Sequence, residues 1–392
     1  MEKTLFGKSE RYYKDRGAIF TATEIAQQPD TWRKVADYML SKKAEITKFM
    51  DEVMSIKDLR IIFSGAGSSA FIGEAMMFLL ANELGIRTEA VHSTDIVSAP
   101  ESTLFDVPTL LISYGRSGES PESKAAISFA SKRIKNLYNI VIVCNSNSTL
   151  ADMGRRMEKS MVLEMPPESC DKGFAMTSSV SCMVMATWCL FHYKEMEQYA
   201  VYIRQIAGCI SGQMDEMAAK AEEIAKNDYR RIIWLGTGAL KGLAREGAIK
   251  SMELSNGYVH AGYDAPTGFR HGPKTVINDE TITVHFISNL DYSMKYDVDL
   301  ANEIIHEKEK NIVVTVKPES KKDATRGEDY EVIYKIPALL PANTEIGAYI
   351  GSLVFTQLLS MMKSLDKGYL TDNPCSSGKV NRVVKGIVIY DI

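Results

Sequence analysis

The sequence predicts an α/β protein built from two duplicated, doubly wound parallel-sheet domains, each an α-β-α sandwich. Three observations carry this expectation. Apolar runs of strand length alternate with helical segments. The runs are continuous rather than alternating, as in a sheet covered on both faces. They also recur: "RIIFSGAG" at Arg60 to Gly67 returns as "RIIWLGTG" at Arg231 to Gly238, 171 residues on. Downstream, "TLLISYGRS" from Thr109 aligns with "TITVHFISN" from Thr281, and "NIVIVCN" from Asn139 aligns with "NIVVTVK" from Asn311. "MVLEMP" ending at Pro166 aligns with "VIYKIP" ending at Pro337. Four strands at nearly constant spacing point to one duplicated unit.

Taken in order, residues 1–50 precede the first unit and read as a helical segment, notably Thr31 to Met54. Residues 51–205 form the first domain and 206–365 the second, joined by one long helix from Met183 through about Lys226. Residues 366–392 form a tail rich in Gly, Pro and Ser until "VVKGIVIY" at Val383 to Tyr390, read as a last strand. The most apolar stretch, Val180 to Phe191, is too short to span a bilayer and reads as a buried helix. The charged N-terminus has no apolar core of a secretory signal. A formal net charge of -4 offers no general attraction to nucleic acid or anionic membrane. The six cysteines form no C-x-x-C pair and sit mostly in apolar runs, so a reduced, cytoplasmic protein is expected.

Ligands of open parallel sheets bind beyond the carboxyl ends of the strands, so the loops there were compared. The first unit has Gly65-Ala66-Gly67-Ser68-Ser69 and "SYGRSGES" at Ser113 to Ser120, where the second has Gly236-Thr237-Gly238-Ala239-Leu240 and "ISNLDYS" at Ile287 to Ser293. Only the first keeps both glycines and hydroxyls. Such a loop at a helix start suits an anion, because amides, the helix dipole and serine hydroxyls converge on it. Ser117, Ser120 and the amides of Gly118 and Glu119 suit one phosphate, and Arg116 adds a charge-assisted bond. A plain capping loop is the competing reading, since Ser-x-x-Glu and Ser-Pro-Glu also start ordinary helices. A third glycine at position 70 and a G-K-[ST] motif are both absent, which argues against a dinucleotide or ATP.

In the second unit, a helix from about Leu240 to Asn256 carries Glu246, Lys250 and Glu253 on one face. They are either a solvated ion pair with one further Glu, or a buried carboxylate at the ligand edge. His271, in "TGFRHGPKT", is either a proton-transfer group or polar surface. These residues alone leave both questions open.

Together the motifs resemble the sugar isomerase (SIS) domain family, with two such domains in tandem. "SYGRSGES" resembles the family's sugar-phosphate loop, and "EGAIKSMEL" followed by "RHGP" resembles the isomerase half of glucosamine-6-phosphate synthase. The tail "DNPCSSGKVNRVVKGIVIY" is closer to the bacterial galactosamine-6-phosphate deaminase/tagatose-6-phosphate ketose–aldose isomerase family. The resemblance implies phosphate-binding hydroxyls at Ser69, Ser117 and Ser120; Ser68, Arg116, Gly118 and Thr177 are expected to join them in binding the substrate. It implies a proton shuttle at Glu253, a ring-opening histidine at His271 contributed by a neighbouring subunit, and a tail lysine at Lys385 that engages the sugar carbonyl. Glu246 and Lys250 align with polar groups near the site. The synthase's leading serine and glutamine in the loop are Gly115 and Arg116 here, and its closing loop corresponds to Gly173 to Ser178 with only Ala175 and Thr177 matching well.

The activity implied is deamination and isomerisation of an amino-hexose 6-phosphate, with no metal or cofactor, in a homodimer or higher oligomer with a shared site. Galactosamine 6-phosphate giving tagatose 6-phosphate and ammonia comes first. Tagatose-6-phosphate ketose–aldose isomerisation comes second, and a non-catalytic sugar-phosphate sensor is the alternative of another class. Only ~50 residues precede the first unit, and residue 2 is Glu rather than a nucleophilic Cys, so no glutamine-hydrolysing ammonia source is expected.

Overall fold

The computed structural model describes residues 4–307, 310–384 and 386–392. The chain divides into two compact units, each holding one five-stranded sheet; a two-stranded antiparallel pair, Thr4–Leu5 with Lys8–Ser9, lies in the second of them. The sheet-A unit comprises residues 30–171, 176–204 and 377–392, and the sheet-B unit comprises residues 1–29, 172–175 and 205–376.

Sheet A contains β1 (Arg60–Ser64), β2 (Glu89–Ala90), β3 (Thr109–Gly115), β4 (Leu137–Val143) and β5 (Ser160–Glu164). Sheet B contains β6 (Arg231–Leu235), β7 (His260–Asp264), β8 (Thr281–Phe286), β9 (Ile312–Pro318) and β10 (Tyr330–Tyr334). The order is β2-β1-β3-β4-β5 in one and β7-β6-β8-β9-β10 in the other, the same 2-1-3-4-5 winding, and every pair is parallel. The four duplicated runs become four of the five strands of each sheet. The edge strands β2, of two residues, and β7, of five, carry no strong apolar run and were not foreseen. Strands β3, β4 and β8 are buried along their whole length, which is why they read as continuous apolar runs. The duplication reaches backbone detail: Gly67 and Gly238 close the equivalent first turns with φ 57° and 59°, a left-handed conformation that a side chain would strain.

In the sheet-A unit, the helix Ser178–Phe191 is buried along its whole length and packs on Ser68–Leu84. No helix among the described residues is long and apolar enough to cross a membrane. In the sheet-B unit, the 21-residue helix Ile346–Asp366 is buried from Ile346 to Ser364 and packs on Met214–Ala225 and Ala239–Leu254.

Two expectations are corrected. The single helix from Met183 to Lys226 is three: Ser178–Phe191, Met196–Ser211 and Met214–Ala225. At the first break, His192 Nδ1 donates to the Trp188 carbonyl at 2.8 Å and a 3₁₀ turn, Tyr193–Glu195, follows. At the second, after Gly212, the Gln213 side chain takes up the carbonyls of Cys209 (3.1 Å) and Lys335 (2.8 Å). The expected last strand is also absent, since the described residues between Val383 and Tyr390 form none. Gly386 breaks the extended run with φ 80°, although Ile389 still packs against the sheet-A core.

Burial creates a pair of pH-dependent carboxyls in the sheet-B unit. Burial raises the Asp297 carboxyl to about 7, against opposing hydrogen bonds from Thr237 and Ser288. Burial likewise raises Glu345 to about 8, opposed by the Ser288 hydrogen bond and helped by the charge of Asp297. The unfolded chain releases these protons near pH 4, whereas the folded chain keeps them to higher pH. These two groups therefore contribute less stability as pH rises from about 4 through about 8, whereas the buried His285, lowered by burial from 6.5 to about 3, acts in the opposite direction below pH 6.5. The difference between parent protein and Glu345→Gln isolates the first effect: the variant's unfolding midpoint should gain on the parent's as pH rises toward about 8.

Candidate active site

Strand β3 ends at Gly115, and the loop Arg116 to Ser120 leads into the helix Pro121–Arg133. Pro121 at the first helical position presets the helix, with Ser120 as its N-cap residue. The Ser120 hydroxyl makes no capping bond; it donates to Glu122 Oε2 at 2.6 Å. Simple capping thus does not account for it. Ser117 Oγ accepts the Glu119 amide at 3.2 Å.

The loop is preformed by the segment after β4. Asn145 Nδ2 donates to the Ser117 carbonyl (3.2 Å), the Asn145 amide to the Arg116 carbonyl (3.2 Å) and the Leu150 amide to the Gly118 carbonyl (3.1 Å). The Glu119 carboxylate accepts the Thr149 amide and hydroxyl, each at 2.8 Å, and the backbone bond leads in holding its pKa below the usual range. Gly118 has φ 64°, and a Cβ there would lie 2.2 Å from Ser148 Oγ. Ser148 is fixed in turn, accepting the Ala151 amide to cap the helix Thr149–Arg156. Ser68 and Ser69 are buried in the first turn of Ser68–Leu84, and Ser69 Oγ lies 3.7 Å from Met176 Sδ. Thr177 is buried with its hydroxyl on Asp171 Oδ1 at 3.0 Å.

In the sheet-B unit, the helix Ala239–Leu254 brings Glu246, Lys250 and Glu253 together as the four- and seven-residue spacing predicts. The Lys250 ammonium lies 3.3 Å from Glu246 and 2.9 Å from Glu253. Lys250 and Glu246 are 1% exposed, whereas Glu253 retains 27%. Burial opposes the charge on Lys250, yet the two carboxylates outweigh it and raise its pKa. The solvated-pair reading is therefore excluded, and one carboxylate of the trio, Glu253, stays accessible beside a buried cation. His271 is exposed on the turn after Pro266–Phe269, its amide donating to the Gly268 carbonyl. Lys385 lies outside the described residues.

The SIS domain family model matches residues 54–193, the region of sheet A. D-galactosamine-6-phosphate deaminase AgaS of Escherichia coli is 34% identical over 376 residues, covering 95% of each chain. A solved protein of Clostridium novyi is 37% identical, with a TM-score of 0.94 over 100% of both chains. The structure of tagatose-6-phosphate ketose/aldose isomerase from Escherichia coli is 32% identical, with a TM-score of 0.86 over 95% of this chain and 96% of that one.

The chain belongs to the AgaS family of SIS-domain proteins. Within this family's tandem fold, the two switch points of the present chain, where the strand order reverses, are filled differently. In sheet A, between β1 and β3, the loops present Ser68, Ser69 and Ser117 to Ser120. In sheet B, between β6 and β8, the chain's own carboxylates occupy the place. Asp297 accepts the Thr237 hydroxyl at 2.6 Å and the Ser288 amide at 3.0 Å, and the Ser288 hydroxyl donates to Glu345. The sequence shows that the second loop, Ile287 to Ser293, has no glycine, but it does not reveal these carboxylates. Sequence reading also missed Asp171, which is fully buried and accepts the amides of Thr177, Ser178 and Ser179 and the hydroxyls of Thr177 and Ser179. An Asp ahead of a Thr-Ser-Ser run that opens an apolar helix was the available signal.

Gly118→Ala should cost about 1–3 kcal/mol of stability from backbone strain, read by urea denaturation, together with weaker binding of inorganic phosphate. Lys250→Met should cost about 3–5 kcal/mol because it leaves buried carboxylate charge without its cation. Adding Glu246→Gln to Lys250→Met should recover part of that loss in the same measurement.

Proposed function

We propose that this chain deaminates and isomerises an amino-hexose 6-phosphate, converting galactosamine 6-phosphate and water to tagatose 6-phosphate and ammonia. The observation that carries the reading is the accessible Glu253 beside the buried Lys250, on the chain that aligns end to end with an AgaS deaminase. In this reading Ser117, Ser120, Arg116, Gly118, Ser68, Ser69 and Thr177 serve the phosphate end. That end reacts with nothing and supplies remote binding energy that orients the rest.

The chemistry needs one base that reaches two adjacent carbons. Ring opening exposes the C1 aldehyde, and His271 is assigned that proton transfer between O5 and O1. Glu253 takes the proton from C2, electrons shift to give a C1–C2 enolamine, and the proton returns to C1 while O1 ends as a hydroxyl. The nitrogen is then a C2 imine. Water adds to it, the C–N bond breaks, and ketose and ammonia leave. Lys250 places a buried positive charge 3.3 Å from Glu246 and 2.9 Å from Glu253. Lys385 is assigned to the sugar carbonyl. His271 acting from a neighbouring subunit makes the working form a homodimer or larger, and a cytoplasmic location goes with this reading.

A second reading is ketose–aldose isomerisation of tagatose 6-phosphate without nitrogen loss, favoured by the 32% identical Escherichia coli isomerase structure. A sugar-phosphate sensor needs no shuttling carboxylate, and the Glu246–Lys250–Glu253 arrangement speaks against it. Incubation with galactosamine 6-phosphate, glucosamine 6-phosphate and tagatose 6-phosphate, following ammonia and ketose, separates the readings. Ammonia release from galactosamine 6-phosphate is expected. Turnover of tagatose 6-phosphate alone supports the second reading, and binding without any turnover supports the sensor. Glu253→Gln should lower kcat by about 10²–10⁴-fold with the unfolding midpoint retained.

A further inference from the structure

The sheet-A unit includes the end of the chain, residues 377–392, and most of that segment is exposed. One residue there touches two functional loops. The Arg382 carbonyl oxygen accepts a hydrogen bond from Arg116 Nη2 at 2.9 Å, and Arg382 Nη1 donates to the Asp171 carbonyl at 2.9 Å. Arg116 belongs to the Ser-rich loop and is only 8% exposed, although its guanidinium carries a full charge. Asp171 starts the turn that holds Thr177 and opens the helix Ser178–Phe191. The tail thus joins the loop that grips phosphate to the turn that carries Thr177.

We propose that Arg116 and Arg382 form a clasp through which phosphate binding and tail docking are coupled, with Arg382 acting as a positioning residue. The proposal rests on the phosphate-loop reading above. A guanidinium has five N–H donors in a rigid fork. One donor of Arg116 holds the tail carbonyl at 2.9 Å, and Arg116 is itself a residue of the loop assigned to the anion. An arriving phosphate that orders this plane also orders the tail residue bonded to it. Linkage is reciprocal, so a docked tail raises phosphate affinity by the factor by which phosphate favours docking. The tail also meets the rest of its unit through Ile389 at the rim of the core and through Asp391, paired with Lys132 on the surface.

The test combines hydrogen exchange of peptides spanning 377–392 with titration of inorganic phosphate by calorimetry, on the full chain. In the unsubstituted protein, phosphate should slow exchange in the tail. Arg382→Met should speed tail exchange without phosphate and weaken phosphate binding by about 5-fold or more, while the unfolding midpoint stays unchanged. Arg382→Lys, which keeps one charged donor for the Asp171 carbonyl, should restore part of both. Phosphate binding by Arg382→Met equal to that of the parent protein overturns the coupling, as does tail exchange that ignores phosphate. If the parent protein binds no phosphate, the phosphate-loop reading fails. The clasp is then judged alone, and it is overturned if Arg382→Met leaves tail exchange unchanged.

Discussion

Every helix that follows a parallel strand begins at the same edge of its sheet, and each beginning leaves backbone amides without intrahelical partners. Much of the chemistry of this protein is a set of answers to that constraint. Asp171 answers for the helix Ser178–Phe191 with both carboxylate oxygens. Outside the two five-stranded sheets, Asp372 answers in the same way for the amides of Phe20 and Thr21 in the first turn of the helix Ile19–Ala26. At the start of Pro121–Arg133 the loop instead sets serines and the left-handed Gly118 beside the buried carboxylate of Glu122.

The duplication makes this visible, because the two sheets share strand order and turn geometry but not what fills their switch points. Sheet A presents a loop tied down at Asn145, Thr149 and Leu150, so its serines are placed before any ligand arrives. Sheet B fills the equivalent place with Asp297 and Glu345, carboxyls that burial pushes toward their neutral forms. On its helix Ala239–Leu254 a buried lysine keeps two carboxylates close. The two copies of the unit thus carry different polar groups on a shared framework.

Much of this was legible in the sequence. Long strands are apolar on both faces and repeat, so their number and pairing follow from Arg60, Thr109, Asn139 and their duplicates. The i, i+4, i+7 spacing of Glu246, Lys250 and Glu253 placed them on one helical face. Burial of that face was not legible, because it depends on the distant helix Ile346–Asp366 packing against it. The edge strands β2 and β7 were missed because edge pairing needs little apolar character. The break after Gly212 depends on Gln213 reaching Lys335, a contact between residues far apart in sequence. Asp297 and Glu345 were missed because an acidic residue in a helical or loop segment reads as solvated until its depth is known.

The central claim is that grip and chemistry are separate functions carried by the two duplicated halves. The most direct measurement compares binding of galactosamine 6-phosphate, by calorimetry, to Ser117→Ala/Ser120→Ala and to Glu253→Gln. The account predicts that the serine variant loses affinity, whereas Glu253→Gln binds as the parent protein does and fails only in turnover. Equal affinity in the serine variant, or loss of binding in Glu253→Gln, would contradict it.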